Sequence, residues 1–149
     1  MSQTRRVMNC TPEDVFAVLA DGWLYGMWVV GAARIRDVDG DWPAPGSSIH
    51  HSVGAWPVLL SDETTSARAD SPHLLELTVK AWPTGEARVT LLCNPHGDGQ
   101  TEVIMEEQAV SGPASLLPKV VQDVMLGARN REALRRLSHL AENHARTPA

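Results

Sequence analysis

Hydrophobic positions along the chain follow two different rhythms. From Ser115 to Asn143 they recur every three or four residues: Leu116, Val120, Val124, Gly127, Asn130, Leu134, Leu137 and Ala141 share one face. That spacing predicts one long amphipathic helix. At 1.5 Å per residue it spans roughly 40 Å, about the width of a small domain. Two positions on the inner face depart from a plain core. Gly127 has no side chain and Asn130 is polar. Glycine inside a helix costs about 1 kcal/mol relative to alanine, so Gly127 calls for a packing or ligand explanation.

Upstream the rhythm changes to alternation. Leu75, Leu77 and Val79 alternate with Glu76, Thr78 and Lys80; Val89, Leu91 and Cys93 with Arg88, Thr90 and Asn94; Val103 and Met105 with Glu102, Ile104 and Glu106. Period two marks half-buried strands. Strands are predicted at Ala32–Asp37, Ser48–Val53, Val58–Ala69, Leu74–Ala81, Glu86–Asn94 and Gln100–Ala109, after a first strand over Gln3–Asn9. Short Gly- and Pro-bearing gaps separate most of them, as in an antiparallel meander. Between the first and second strands lie two short helices. Thr11-Pro12-Glu13-Asp14 reads as a helix start, with Thr11 as N-cap, and Asp21-Gly22 as its stop. Trp23 to Val30 forms the second. The expected fold is α+β: a curved antiparallel sheet of about six to seven strands wrapped around the C-terminal helix. With 149 residues and no linker, residues 1–149 form a single domain.

Extending the alternation puts polar groups inside. Ile49 and Val53 point inward, so His51 does too; Val103 and Met105 point inward, so Glu107 does too. With Asn130, three polar side chains face the interior. Buried polar groups are costly unless paired. Two explanations stand: a hydrophobic cavity whose polar groups orient a guest, or a satisfied internal network, with a one-residue register slip that exposes His51 or Glu107 as a variant. In the first, Trp28, Leu77, Val89, Leu91 and Met105 form the inner wall, Trp56 sits near the entrance, and Gly127 leaves room. His51 and Glu107 could also act as acid and base.

Composition narrows the partners. Five of the seven aromatic residues are tryptophan, suited to pocket walls and rims. Trp42, Trp56 and Trp82 each precede proline, which favours rims over core centres. The net charge of −5 argues against nucleic acid. Arg129, Arg131, Arg135 and Arg136 read as a solvated helix face. No apolar run reaches membrane-spanning length, and the N-terminus has no signal-peptide pattern, so the cytoplasm is the expected compartment. Cys10 and Cys93 are expected to be free and buried. A calcium loop starting at Asp37 would need Gly at its sixth position and Glu at its twelfth, where Trp42 and Ser48 stand, and no phosphate loop, nucleophile elbow or zinc spacing occurs. No metal and no cofactor are expected. The oligomeric state is open, a homodimer being one arrangement.

Three segments then acquire a joint meaning: Thr11-Pro12-Glu13-Asp14-Val15-Phe16 after a first strand, Trp42-Pro43-Ala44-Pro45-Gly46 before the third, and Glu106-Glu107 to Gly112-Pro113 leading into the helix. In that order the chain resembles the START-like, or SRPBCC, superfamily with its helix-grip fold, in particular the polyketide cyclase/dehydrase and lipid-transport branch. The resemblance covers nearly the whole chain. It implies a deep cavity between sheet and helix that takes hydrophobic or aromatic small molecules. No catalytic set of the family matches residue by residue. The leading expectation is therefore binding of a hydrophobic small molecule, for transport, sensing or sequestration. The alternative is a cyclase/dehydrase-type enzyme using His51 and Glu107.

Overall fold

The computed structural model describes residues 2–30, 32–55, 58–81, 85–112 and 116–147, with backbone alone at 32–33, 53–55, 58–61 and 81. The elements run β1 (Ser2–Met8), α1 (Pro12–Leu19), α2 (Tyr25–Trp28), β2 (Ala32–Val38), β3 (Ser48–Ala55), β4 (Val58–Asp70), β5 (Leu74–Ala81), β6 (Gly85–Pro95), β7 (Thr101–Ser111) and α3 (Lys119–Arg146). Seven strands form one antiparallel sheet in the order β1-β7-β6-β5-β4-β3-β2. The crossover that carries α1 and α2 therefore leaves one edge of the sheet at β1 and returns at the other edge with β2.

Local chemistry explains the helical crossover. The Thr11 hydroxyl accepts from Asp14 N at 3.2 Å while the Asp14 carboxylate accepts from Thr11 N at 3.1 Å, a reciprocal capping box with Pro12 in the first turn. Asp21 accepts from Trp23 N at 3.2 Å and opens a 3-10 turn, Gly22–Leu24, that leads directly into α2. The second helical segment is thus split into a 3-10 turn and a single α turn. Gly22 is required there because a Cβ would lie 2.6 Å from the Val38 side chain.

The sheet's inner face is apolar where alternation predicts it. Leu75, Leu77, Val89, Leu91, Cys93, Val103 and Met105 are buried beside Ile49 and the α3 residues Ala133, Leu134, Leu137 and Ala141. Register aligns them laterally: Ser2 pairs with Glu107, Glu107 with Val89, Val89 with Leu77 and Leu77 with Ser66. Directly paired residues share a face, so this row crosses five strands on the inner side. Trp42 corrects the expectation of a rim position. It is buried, and its indole N–H donates to Leu19 O at 3.1 Å. An indole whose one donor finds a carbonyl is comfortable in a core.

The long helix departs from its predicted course in its first half. It begins at Lys119 after Pro118 rather than near Ser115. Leu116, Val120 and Val124 are exposed at 85%, 74% and 67%, so the inner face runs only from Gly127 through Asn130, Leu134 and Leu137 to Ala141. Lengths give the reason. Twenty-eight residues of helix rise roughly 42 Å, whereas the seven residues of β1, its main support in the sheet, extend roughly 23 Å. The helix is anchored at its C-terminal end, where Glu142 accepts from Asn9 N at 2.9 Å and His144 Nδ1 lies 3.0 Å from Asp14 Oδ1. Its N-terminal end overhangs.

Candidate functional site

The structure buries the three polar residues singled out by the sequence pattern: His51 is 1% exposed, Glu107 3% and Asn130 0%. Each sits where its element places it. His51 lies on β3 between its partners Ile35 and Asp62, Glu107 on β7 between Ser2 and Val89, and Asn130 on the buried stripe of α3. The structure does not bond them to one another. His51 Nε2 lies 3.0 Å from Thr64 Oγ1, and Glu107 is ion-paired with Arg129. Four side-chain atoms of this set are buried with no hydrogen-bond partner: His51 Nδ1, Glu107 Oε1, and both Nδ2 and Oδ1 of Asn130. Unmade hydrogen bonds of buried groups cost about 1–3 kcal/mol each.

Three residues of the site were not read from the sequence. Thr64 belongs to β4, whose run Ser61-Asp62-Glu63-Thr64-Thr65-Ser66 carries no apolar alternation; Thr64 and Ser66 are nevertheless buried on the inner face. A strand polar on both faces within an otherwise alternating sheet is the signal that marks it. Tyr25, the chain's one tyrosine, is buried in α2, and its hydroxyl oxygen is 2.7 Å from Thr64 Oγ1. Its ring lies 5.5 Å from the His51 ring and meets Trp28 edge-on at 5.6 Å. Arg129 is exposed at 44%, as a solvated helix face requires, and adds a partner that the sequence did not show. Arg135 and Arg136 pair with Glu132 along the helix surface, and Arg129 pairs from the surface with the buried Glu107 carboxylate.

Electrostatics follow from burial. The His51 imidazole is pushed below its ordinary value, chiefly because a buried ring resists charging. Burial pushes the Tyr25 phenol up to about 12, with the Thr64 bond lowering it and the Glu107 carboxylate raising it. Both groups are therefore neutral at pH 7. Cys10 and Cys93 are free and buried, their thiols pushed by burial to about 11 and about 12, which leaves neither as a nucleophile at neutral pH.

The expected wall residues Trp28, Leu77, Val89, Leu91 and Met105 are all buried in the one core cluster. Gly127 is buried on α3, and a Cβ there would stand 3.9 Å from Ser2 Oγ and 3.5 Å from its own helix's Arg131 Nη1. The space above Gly127 thus borders the β1 edge beside Glu107. Trp56 and Trp82 lie outside the described residues. Among the described residues no group of His, Cys, Asp and Glu is arranged to hold a metal, and no helix is long and apolar enough to cross a membrane.

A seven-stranded antiparallel sheet closed over one long C-terminal helix, with short helices after the first strand, defines a helix-grip α+β protein. A family model described as polyketide cyclase / dehydrase and lipid transport matches residues 1–142, and the chain belongs to this SRPBCC-type family. Among solved structures, a protein of unknown function from Staphylococcus aureus is similar at 11% identity, over 97% of this chain and 94% of the other, with a TM-score of 0.71. A protein from Nitrosomonas europaea is similar at 15% identity, over 97% and 96%, with a TM-score of 0.73. One from Rhodobacter sphaeroides reaches 23% identity over 95% and 91%, with a TM-score of 0.71. These likenesses show the fold. No curated protein matches the chain by sequence.

Proposed function

We propose that the protein binds a hydrophobic or aromatic small molecule between the sheet and α3, to carry, sense or sequester it. The observation that carries this reading is the pair of opposites beneath α3: an apolar wall, and within it polar atoms of His51, Glu107 and Asn130 that have no partner. An apolar guest with an oxygen or nitrogen function gains area from the wall, at about 25 cal/mol per Å², and supplies the missing hydrogen bonds. The family's description, which includes lipid transport, points the same way. Trp28, Leu77, Val89, Leu91 and Met105 are the proposed wall; His51, Glu107 and Asn130 orient the guest; Gly127 keeps the β1 side open; and Trp56 is the proposed residue of the entrance.

Strand register supports a route in at one end of the sheet. Ala55 pairs with Val58, Ala81 with Gly85, and Ser111 with Glu86, so these strand ends and the start of α3 all lie at one end of the sheet. The exposed apolar residues Val120, Val124 and Met125 of α3 rise from that end. A guest enters there by displacing the overhanging half of the helix, since the orienting atoms are closed off from solvent. The acidic net charge favours a small molecule over nucleic acid. Two buried free thiols suit a reducing compartment, and the cytoplasm is the proposed one. The acid–base reading of His51 and Glu107 has less support, because each is engaged by a different residue.

Native mass spectrometry of the purified chain tests the binding reading. A discrete mass excess that disappears on denaturation is the expected result, together with saturable binding of 1-anilinonaphthalene-8-sulfonate at one site. A bare mass and no saturable binding of the dye overturn it.

A further inference from the structure

A chain of two contacts links three buried side chains from three elements. The Tyr25 hydroxyl of α2 lies 2.7 Å from Thr64 Oγ1 on β4, which lies 3.0 Å from His51 Nε2 on β3. Counting protons gives this chain a direction. Tyr25 is 3% exposed and its hydroxyl keeps its one proton. Among the described residues Thr64 Oγ1 is the only acceptor that proton has. Tyr25 therefore donates to Thr64. The one hydroxyl proton of Thr64 then has His51 Nε2 as its remaining acceptor. A ring nitrogen that accepts carries no proton, so in the neutral imidazole the proton resides on Nδ1. Reversing the chain would leave two buried groups unmatched, the Tyr25 proton and the Nδ1 lone pair, where this direction leaves one, the Nδ1 proton. Packing holds the ring in place: Tyr25 lies over His51 at 5.5 Å and 30°, and Trp28 braces Tyr25 edge-on. The Nδ1 on the far side of the ring is buried and unpartnered.

We propose that Tyr25 and Thr64 are positioning residues that fix His51 in the Nδ1–H tautomer, so that the interior recognises its guest through a hydrogen-bond acceptor on the guest, a carbonyl or ether oxygen. This rests on the binding reading above and sharpens it. Glu107 Oε1 is an acceptor and asks for a donor; His51 asks for the opposite. The two ends of the site therefore discriminate between functional groups that differ only in the presence of a proton.

Nitrogen-15 NMR of the full-length chain at pH 7.5, with His51 assigned by its loss in His51→Phe, reads the tautomer without any ligand. The expected spectrum has a protonated, pyrrole-type Nδ1 and a pyridine-type Nε2. A protonated Nε2 or a charged ring overturns the proposal, and this measurement needs no folded variant at Thr64. In Thr64→Val the donor is lost, and a shift of the population toward Nε2–H is expected. Binding is read from tryptophan fluorescence with two probes of similar shape, 2-acetylnaphthalene and 2-ethylnaphthalene. The acetyl compound is expected to bind about fivefold more tightly, the value of one ordinary hydrogen bond. That preference is expected to vanish in Thr64→Val. Equal affinities in the wild type overturn the recognition step. If neither probe binds while Nδ1–H is observed, the binding reading fails and the hydrogen-bond chain stands.

Discussion

At the scale of single residues, the interior is governed by which groups can hold or lose a proton. His51 has a folded-state pKa below its ordinary value of 6.5, chiefly through burial. The unfolded chain then binds a proton near pH 6.5 that the folded chain refuses. Stability is highest above pH 6.5 and falls as the pH drops through and below that value, levelling once the folded ring also protonates. Asp14 is shifted down as well: burial pushes it up, and the Thr11 and His144 bonds outweigh that effect. Its contribution is lost only as the pH falls below its ordinary 3.8, outside the histidine window. Urea denaturation between pH 7.5 and 5 should therefore show a loss of stability that is smaller in His51→Gln. Parallel profiles for the two proteins would mean that His51 is not the titrating group. The sequence shows His51 and Glu107 as interior because period two carries a residue's facing along a strand whatever its chemistry. It does not show Thr64, since the run Ser61–Ser66 around it in β4 has no apolar member that would mark the inner face. Nor does it show that Arg129 pairs with Glu107. A helix position beside a buried stripe is read as exposed, which Arg129 is, and the Glu107 carboxylate it pairs with comes from another element.

At the scale of elements, α3 is one helix with two environments. From Gly127 onward one stripe of the helix, Gly127, Asn130, Ala133, Leu134, Leu137, Ser138 and Ala141, is buried against β1, α1 and α2, while the residues before it hold apolar side chains out to solvent. Periodicity alone cannot separate these halves, because Val120 and Val124 continue the same face as Leu134 and Leu137. What ends the burial is the length of the platform, a property of the sheet and not of the helix sequence. Substitution should reveal the boundary. Leu137→Ala removes a fully buried side chain and is expected to cost about 2–5 kcal/mol, as cavity-forming substitutions do. Val124→Ala, at 67% exposure, is expected to stay within about 0.5 kcal/mol of the parent. Equal losses measured by denaturant titration would show that the first half of α3 is packed in solution.

At the scale of the whole molecule, the two halves of α3 join the anchored core to the proposed route of entry. The C-terminal half is tied to Asn9, just after β1, by Glu142 and to α1 by His144, and because it buries Leu134, Leu137 and Ala141 its opening requires the core to unfold. The N-terminal half buries little and can open by itself, since local opening free energy falls with buried contact. Native-state hydrogen exchange should thus show amides of residues 122–126 exchanging far faster than those of residues 133–141. A guest held by His51, Glu107 and Asn130 lies under the junction of the halves. It stabilises only the closed arrangement, by RT ln(1 + [L]/Kd), about 2.7 kcal/mol at a hundredfold excess over Kd. Addition of 2-acetylnaphthalene at such an excess should therefore slow exchange at residues 122–126 and along the end of β7, by up to about a hundredfold where opening and binding are exclusive. Exchange at residues 133–141 should change only as far as global stability does. Protection confined to the α1 end of the molecule would place the guest elsewhere and would break the link between the overhanging helix and the interior it covers.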